Sequence, residues 1–273
     1  MAHSGVSLEG SHFFYENPLA SLGHHHRTPW FLCPCCPPNV ARTIASVGSH
    51  FYSTGPKDVW VHLYGQNQAE FQISDFRFQI NQVTHYPWDG KVRFELGMAK
   101  PHKFALHLRV PGWCNRFTCK VNGSVIKATP KNGYLAINRA WKNGDVVEFT
   151  MAMPVQAVYA HPSVRQLQGR VALQRGPLVY CLEGADHDGA ELERIAIDPR
   201  TLGQFAIEYR PDLLGGVTVL RGPGQIYTDG GWEGLLYRNN KPSASKRTKI
   251  TAIPYYAWDN REAGEMRVWL RTS

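Results

Sequence analysis

The chain has 273 residues, which is enough to bury a sizeable core in one large or two smaller domains. Its 43% hydrophobic and 19% charged residues, with 25 Gly and 18 Pro, are typical of a globular protein whose many strands are joined by turns. The net charge of +8 would suit a nucleic-acid partner, but the basic residues are scattered. Their densest cluster, within residues 241–249, is predicted to be a solvated loop, so we expect no nucleic-acid partner.

Membrane insertion and secretion are not expected either. The sequence has no stretch of about 18 apolar residues, and its first ten residues lack the apolar centre of a signal peptide. We therefore expect a soluble, cytoplasmic protein without a membrane partner. In that compartment Cys114, Cys119 and Cys181 are expected to be structural thiols, and a disulfide between Cys114 and Cys119 is the alternative in an oxidising one.

The N-terminal part of the chain, up to residue 38, is irregular and rich in aromatic and histidine side chains. The run His24, His25 and His26 suits the recognition of sugar hydroxyls, because an imidazole ring offers both a donor and an acceptor. Exposed loop histidines explain the run equally well. Tyr15 and Trp30 could form a wall against a sugar ring, but aromatic residues in such a segment more often belong to a core.

A single amphipathic helix is predicted after this part. Apolar residues recur at helical spacing at Val40, Ile44, Val47 and Phe51, and the pattern ends near residue 55. Proline is well tolerated in a first helical turn, so the proline pair before Asn39 would set the start of the helix. One helix alone does not make a domain.

Three of the six cysteines, Cys33, Cys35 and Cys36, lie within four residues just before this helix. Neighbouring cysteines are poorly placed to bridge each other, whereas a thiolate at a helix start is stabilised by the positive end of the helix dipole. Cys35 and Cys36 are therefore candidates for a nucleophile or for metal ligands. Buried structural thiols are the alternative.

The remainder of the chain is predicted to be β-structure. Alternating apolar residues indicate half-buried strands near residues 59–63, 104–110, 147–151, 171–180 and 266–270. Turn signals at residues 89–90, 122–123 and 143–145 separate strands that we expect to be antiparallel neighbours. Residues 185–231 are rich in Gly, Pro and Asp and are expected to be less regular. The two β regions meet near residue 161, and they could also contribute to one sandwich.

Four separated strings in this sequence carry a resemblance to a known family. They are residues 13–19 (FFYENPL), 30–42 (WFLCPCCPPNVAR), 176–183 (GPLVYCLE) and 253–261 (IPYYAWDNR). In this order they resemble glycoside hydrolase family 127 and the related DUF1680 proteins, which are typified by β-L-arabinofuranosidases. The resemblance covers nearly all of this chain but only the C-terminal part of the family's length.

The resemblance implies an N-terminal (α/α)6 helical barrel that carries the active site, followed by β-sandwich domains. Residues 1–55 would be the remnant of that barrel, made of a loop and its last helix. Residues 56–160 would form a β-sandwich, and residues 161–273 a second β region. The expected fold class is mainly β, with antiparallel sandwich domains after a barrel remnant.

The resemblance also implies roles for single residues. In the family, the first cysteine of the Cys-Cys-Pro-Pro-Asn string is the proposed nucleophile and the second is a zinc ligand, and these positions are Cys35 and Cys36 here. A retaining glycosidase forms a glycosyl-enzyme intermediate, so a thiolate would replace the usual carboxylate, and zinc beside it would keep it ionised. Tyr15 and His25 are the candidate substrate contacts, and the substrate would be an arabinofuranoside-type glycan.

Part of the family's machinery is not expected in this chain. The other zinc ligands, a glutamate and a cysteine two residues later, come from the barrel upstream of the cysteine loop, and no Glu-x-Cys string precedes Cys35. The acid/base group is expected to be missing too, unless Cys33 and the histidines improvise a metal site. We therefore expect the chain alone to be inactive and to associate with the missing barrel segment or with a second copy. Pro34 departs from the small residue usual in the family and would shift the loop slightly.

Two other functions remain open at this level. The chain could be a noncatalytic β-sandwich module that binds sugars or serves as an interaction domain. It could also be a metal or thiol-redox protein built on Cys33, Cys35 and Cys36, although no second half-site at zinc-finger spacing accompanies them.

Overall fold

The computed structural model describes residues 4–73, 75–232, 234–239 and 245–273. Strands dominate, and the one α-helix among these residues is α1 (Cys36–Ser46). The strands are β1 (Ala20–Leu22), β2 (Tyr52–Gly55), β3 (Asp58–Val61), β4 (Asn67–Ile73), β5 (Phe76–Thr84), β6 (Lys91–Met98), β7 (His102–Arg109), β8 (Phe117–Val121), β9 (Ser124–Val125), β10 (Tyr134–Trp141), β11 (Val146–Met151), β12 (Val155–Val158), β13 (Arg170–Arg175), β14 (Leu178–Glu183), β15 (Ile195–Ile197), β16 (Ala206–Arg210), β17 (Val217–Tyr227), β18 (Ser245–Pro254), β19 (Glu265–Arg267) and β20 (Trp269–Thr272). Short 3₁₀ helices cover Val47–His50, Arg165–Leu167, Gly184–Asp186, Leu192–Arg194, Pro199–Gln204 and Tyr255–Ala257. The predicted mainly β fold is confirmed.

The chain divides into two compact units. The middle unit comprises residues 42–154. The terminal unit comprises residues 155–273 together with the N-terminal residues up to 41. Residues 4–35, which we call the N-terminal segment, therefore pack with the last part of the chain and not with the strands that directly follow them.

Two sheets enclose one apolar core in the middle unit. One sheet has the strand order β10-β7-β3-β2, and the other has the order β4-β5-β6-β11-β8-β9. Neighbouring strands are antiparallel except β3 and β7, which are parallel. Alternation along each strand sends every second side chain into the core, as Phe104, Leu106 and Leu108 of β7 show by being almost fully buried.

The predicted turns of the middle unit behave in two ways. Residues 89–90 and 122–123 close the antiparallel hairpins β5–β6 and β8–β9. Asn122 and Gly123 have φ of 49° and 80°, the positive values that a two-residue Asn-Gly turn requires. The turn at residues 143–145 instead joins β10 of one sheet to β11 of the other, so the expected antiparallel pairing is wrong there. A local turn signal does not encode which sheet the next strand enters.

The terminal unit contains a ten-stranded sheet that closes on itself. The pairings run β13-β14-β18-β17-β15-β20 and back to β13, and only β15 and β20 are parallel. The remaining strands, β1, β12, β16 and β19, extend the edges of this ring. Large apolar side chains of this unit are 0–1% exposed: Val171, Leu173, Tyr180, Leu182, Ile195, Ile197, Val219, Leu220, Ile250, Ile253, Trp258 and Leu270.

The helix is shorter than predicted. It ends at Ser46, whose hydroxyl donates back to the carbonyl oxygen of Arg42 at 2.9 Å, a contact that competes with helix continuation. A 3₁₀ turn with Gly48 follows, and the expected last residues of the helix form strand β2 instead. Within α1 only Pro37 is buried, and Ile44 of the predicted apolar face is exposed.

Two further predictions are corrected by the strands. Residues 185–231, expected to be less regular, contain β15, β16 and the eleven-residue β17. In the basic cluster at residues 241–249, residues 245–249 belong to strand β18, whose Lys246 and Arg247 are exposed. The first four residues of that cluster lie outside the described part of the chain. Among the residues described, no helix is long and apolar enough to cross a membrane.

Candidate active site

The cysteine loop ends at the first turn of α1. Cys36 is the first residue of the helix and Cys35 directly precedes it, so both thiols lie at the positive end of the helix dipole, as predicted. Pro37 and Pro38 occupy the first turn, where a missing N–H costs no helical hydrogen bond. The Asn39 side-chain amide donates to the carbonyl oxygen of Cys35 at 2.8 Å and fixes the backbone at that residue.

The Cys35 thiol has a tyrosine hydroxyl as its partner. Tyr15 Oη lies 3.0 Å from Cys35 Sγ. This hydrogen bond lowers the pKa of the Cys35 thiol and raises the pKa of the Tyr15 hydroxyl. Cys35 therefore ionises before Tyr15, and the neutral hydroxyl then donates to the thiolate.

The two adjacent cysteines are not equivalent. Cys36 Sγ lies 3.6 Å from Cys35 Sγ. The hydrogen bond to Cys35 raises the pKa of the Cys36 thiol, the opposite of what happens at Cys35. A larger fraction of Cys35 than of Cys36 is thus thiolate at neutral pH, and the thiolate is the form of a cysteine that attacks.

A complete metal site is not present among the residues described. Cys33 and Cys35 are exposed and Cys36 is partly buried. In the described ranges, no group of three or more His, Cys, Asp or Glu side chains is arranged to hold a metal ion. Zinc in proteins takes four ligands in structural sites and three protein ligands in catalytic sites. The donor set of these residues does not fit zinc without further ligands.

The ring of His25 is engaged in packing. It stacks on Phe14 with a centroid distance of 5.1 Å, and Phe14 stacks in turn on Trp258 at 4.8 Å. His25 Nε2 lies 3.2 Å from the carbonyl oxygen of Glu16. Of the two predicted substrate contacts, Tyr15 therefore contacts the Cys35 thiol, whereas the ring contacts of His25 are with Phe14 and Trp258.

The aromatic residues around the loop are on the surface. Tyr15 packs against Phe31 with a centroid distance of 5.4 Å and is 38% exposed, and Trp30 is 69% exposed. The expectation that such residues belong to a core is therefore wrong for Tyr15 and Trp30. A small apolar cavity of about 130 Å³ adjoins the loop, and it is lined by Phe13, Trp30, Phe31, Pro34, Pro37, Pro38 and Ala41.

Sequence reasoning assigned no role to two residues that hold the N-terminal segment. The Asp259 carboxylate accepts a hydrogen bond from the Arg27 backbone N–H at 2.8 Å, although the two residues are 232 positions apart. The Arg27 side chain is buried against the same loop. A pairing over such a distance leaves no local pattern, and the one available signal was that Asp259 lies within a string of the family resemblance.

Comparisons with known proteins agree along the whole chain. The family descriptions that match are the GH127 β-L-arabinofuranosidase catalytic domain at residues 2–49, the GH127 β-L-arabinofuranosidase middle domain at residues 58–153 and the glycoside hydrolase family 127 C-terminal domain at residues 155–271. The non-reducing end β-L-arabinofuranosidase of Bifidobacterium longum subsp. longum is 35% identical over 98% of this chain and 43% of its own length.

Solved structures give the same result. A GH127 β-L-arabinofuranosidase from Geobacillus stearothermophilus T6 matches with a TM-score of 0.93 and 40% identity, over 99% of this chain and 44% of that one. A GH127 β-arabinofuranosidase matches with a TM-score of 0.89 and 36% identity, over 99% of this chain and 43% of that one. Both the fold and the sequence therefore match proteins of the glycoside hydrolase class. The chain belongs to glycoside hydrolase family 127 and spans less than half the length of these relatives.

Proposed function

We propose that this chain supplies the nucleophile of a retaining glycoside hydrolase that acts on β-L-arabinofuranosides, and that the nucleophile is Cys35. The observation that carries the proposal is the Tyr15 hydroxyl 3.0 Å from Cys35 Sγ, which singles out one of three neighbouring thiols for ionisation. The substrate class comes from the relatives, which are β-L-arabinofuranosidases by name.

The chemistry follows the two steps of a retaining mechanism. The Cys35 thiolate attacks the anomeric carbon, a carbon–sulfur bond forms, and the glycosidic carbon–oxygen bond breaks while an acid protonates the leaving oxygen. Water then attacks the same carbon from the opposite side, loses a proton to the base, and releases the sulfur as a thiolate. Two inversions give net retention of the β configuration.

Tyr15 has a defined task in both steps. Its hydroxyl keeps its proton, because its pKa is raised by Cys35 and Cys36, so it donates a hydrogen bond to the sulfur whenever the sulfur is negative. That contact stabilises the thiolate before the attack and after its release. Because Tyr15 is partly exposed beside the sulfur, we propose that it also touches the sugar.

His25 is the second proposed substrate contact. Its Nε2 is occupied by the carbonyl oxygen of Glu16, and its ring plane is fixed by stacking on Phe14. One ring nitrogen, Nδ1, therefore remains for a sugar hydroxyl. A stacked imidazole loses little side-chain entropy on binding, which favours a directional contact with a hydroxyl.

We propose Cys36 as a zinc ligand in the longer protein, as the family resemblance implies. The residues described here offer too few donors to complete such a site, so the remaining ligands and the acid/base would come from other residues. The thiol of Cys36 would then lose its proton on binding the metal, since a coordinating thiol is deprotonated.

The test compares two proteins: residues 1–273 alone, and the same residues joined to whatever coding sequence precedes them in their genome. Bound zinc and release of p-nitrophenol from p-nitrophenyl β-L-arabinofuranoside are measured for both. We expect zinc and turnover in the longer protein only, and a loss of kcat of at least about a thousandfold in Cys35→Ser. In methanol–water mixtures, methyl β-L-arabinofuranoside as the product would demonstrate retention.

Cys33→Ser is the matched control, because it makes the same thiol-to-hydroxyl change two residues away. It should keep kcat within about threefold of the parent protein. Unchanged turnover in Cys35→Ser would refute the assignment of the nucleophile. If neither protein hydrolyses the substrate but residues 1–273 bind arabino-oligosaccharides in calorimetry, the noncatalytic sugar-binding module is the better description.

A further inference from the structure

One carboxylate of the terminal unit holds the backbone of the N-terminal segment. Asp259 follows the 3₁₀ turn Tyr255–Ala257, and its side chain is 10% exposed. It accepts a hydrogen bond from the Arg27 backbone N–H at 2.8 Å and one from His26 Nδ1 at 2.7 Å. Two successive residues of the segment are thereby fixed by one side chain.

The Arg27 side chain reinforces this contact from the other side. Its guanidinium donates five hydrogen bonds to backbone carbonyl oxygens, those of Ser4, Tyr256, Trp258 and Asp259. With a side chain only 2% exposed, Arg27 has no water to replace these partners. Its guanidinium also lies 4.2 Å from the ring centroid of Phe14.

Short contacts connect this anchor to the cysteine loop. Thr28 exchanges two backbone hydrogen bonds with Phe13, at 2.8 and 3.0 Å. Phe14 is held between the Arg27 guanidinium and the Trp258 ring. Tyr15 is the next residue, and its hydroxyl reaches Cys35 Sγ. Asp259 is therefore linked to the nucleophile through residues that are each in contact with the next.

Asp259 is itself held in place. Its backbone N–H donates to Glu183 Oε1 at 2.8 Å, and Arg261 bonds both Glu183 and Asp186. Its φ of +57° is in the left-handed region, which costs energy for a residue other than glycine. A backbone of this kind persists only where the surroundings over-determine it, and here the Glu183 and Arg27 contacts do so.

We propose that Asp259 is a positioning residue for Cys35: by fixing residues 26 and 27 it places the Tyr15 hydroxyl on the nucleophilic sulfur. The inference rests on the proposed function, because it takes Cys35 as the nucleophile. It gives the terminal β unit a part in the chemistry, since a contact at 3.0 Å is lost when the donor moves by about 1 Å.

The experiment measures alkylation of Cys35 by iodoacetamide at pH 7 in residues 1–273. A Cys33→Ser/Cys36→Ser background leaves Cys35 as the exposed cysteine, because Cys114, Cys119 and Cys181 are buried. In that background we expect Tyr15→Phe and Asp259→Ala each to lower the second-order rate constant about threefold, because the first removes and the second displaces the hydroxyl that lies 3.0 Å from Cys35 Sγ and holds the sulfur. The double variant should be no slower than either single variant.

Three comparisons separate positioning from general damage. Asp259→Asn should restore most of the rate, because its amide oxygen can still accept from the Arg27 N–H. Asp212→Ala makes the same change at an exposed carboxylate and should have no effect. If Asp259→Ala does not fold by circular dichroism, Arg27→Lys replaces it, with the same threefold loss expected.

Each outcome decides between the two proposals. An unchanged rate in Asp259→Ala, with Tyr15→Phe slowed, would overturn the positioning role and leave the nucleophile assignment standing. Effects that multiply in the double variant would also overturn it, because Asp259 would then act on Cys35 without Tyr15. An unchanged rate in Tyr15→Phe would overturn the activation of Cys35 by Tyr15, on which both proposals depend.

Discussion

The N-terminal segment and the middle unit are each stabilised by a different kind of interaction. In the middle unit, both sheets contribute side chains that are 0–8% exposed to a single apolar core. In the N-terminal segment, Phe14 is the one large apolar side chain among the described core residues, while Trp30 and Leu32 are 69% and 105% exposed. The segment is stabilised instead by hydrogen bonds that Arg27 donates, among them the one that the Asp259 carboxylate accepts from its backbone N–H.

This difference explains how the segment can carry the proposed nucleophile. A close-packed core fixes each side chain against many neighbours and leaves no reactive group accessible. A segment tethered by a few directional hydrogen bonds keeps Cys35 and Tyr15 accessible while fixing the distance between them. Substitutions should therefore unfold the middle unit where they create cavities, and release the segment where they remove polar anchors.

The largest effect is expected from a cavity in the middle unit. Phe149 is 0% exposed and packs against Phe117 and Tyr64. Phe149→Ala should lower the free energy of unfolding by about 3–5 kcal/mol, measured by urea denaturation. Val125→Ala on the exposed strand β9 should change it by less than about 0.5 kcal/mol. A loss below about 1 kcal/mol in Phe149→Ala would show that the core relaxes around the cavity.

A smaller but local effect is expected at the polar anchor. Arg27→Met keeps the apolar stem and removes the guanidinium. The backbone carbonyl groups of Ser4, Tyr256, Trp258 and Asp259 then lose a buried donor. Amide hydrogen exchange of residues 4–31 should accelerate as if local opening cost about 2–4 kcal/mol less, while amides of β7 stay protected. Arg210→Met removes an exposed guanidinium and serves as the control. Equal acceleration in β7 would contradict the division drawn here between core and anchor.

An intermediate case lies in the sheet of the terminal unit. Glu193 bonds three arginines, Arg170 at 2.5 Å, Arg267 at 2.7 Å and Arg271 at 3.0 Å. Glu193→Gln leaves these cations close together without a counter-charge and should cost about 1–2 kcal/mol, a figure reduced because Glu193 is partly exposed. Glu191→Gln, which breaks an exposed pair with Arg194, should lower the free energy of unfolding by less than about 0.5 kcal/mol, and urea denaturation measures both variants.

The smallest effects on stability are expected from the titration of two histidines, and their pH dependences have opposite signs. The hydrogen bond to Asp259 raises the pKa of His26 above 6.5, so its contribution to stability is complete below that value and is lost as the pH rises through the raised pKa. Burial, with the nearby Arg109, lowers the pKa of His62 below 6.5, so its contribution is complete above that value and is lost as the pH falls through the lowered pKa. Hydrogen exchange measured between pH 5 and 8 should therefore show that the protection of amides in the N-terminal segment decreases as the pH rises.

The control for this comparison is a pair of glutamine variants. His26→Gln should remove the pH dependence of hydrogen exchange in the N-terminal segment alone. His62→Gln should remove the pH dependence of exchange around Ser53 and Tyr134, which are the hydrogen-bond partners of His62. A segment that loosens towards acid instead would show that His26 is not the titrating group that holds it.

Local patterns predicted the elements well where a pattern repeats. The period of two found β7 and β11, and Asn122-Gly123 found a hairpin, because both signals depend on neighbouring residues alone. The helix end and β17 were missed. The helix ends at Ser46, whose hydroxyl donates to the backbone carbonyl of Arg42, and β17 carries Gly222, Pro223 and Gly224, which are unusual in strands.

The candidate site was predictable only in part, for the same reason. The cysteine cluster before a proline-marked helix start is a local signal, and it correctly predicted Cys35 and Cys36 at the start of α1. Spacing and residue type did not distinguish the two thiols, and only the family resemblance assigned the nucleophile to Cys35 and the zinc ligand to Cys36. The distinction comes from tertiary contacts: the hydroxyl of Tyr15, twenty residues earlier, lies 3.0 Å from Cys35 Sγ and lowers the pKa of that thiol, whereas the pKa of Cys36 is raised.

The sequence by itself determined the β-rich fold, the position of the cysteines at a helix start and, through its four strings, the family. These features depend on spacing and residue type, which a linear chain displays directly. Only the tertiary structure decided which thiol ionises and what holds its partner, because Tyr15, Arg27 and Asp259 meet through contacts between residues far apart in the chain. Hydrogen bonds and the pKa values they shift depend on distances of a few tenths of an ångström, and those distances exist only after folding.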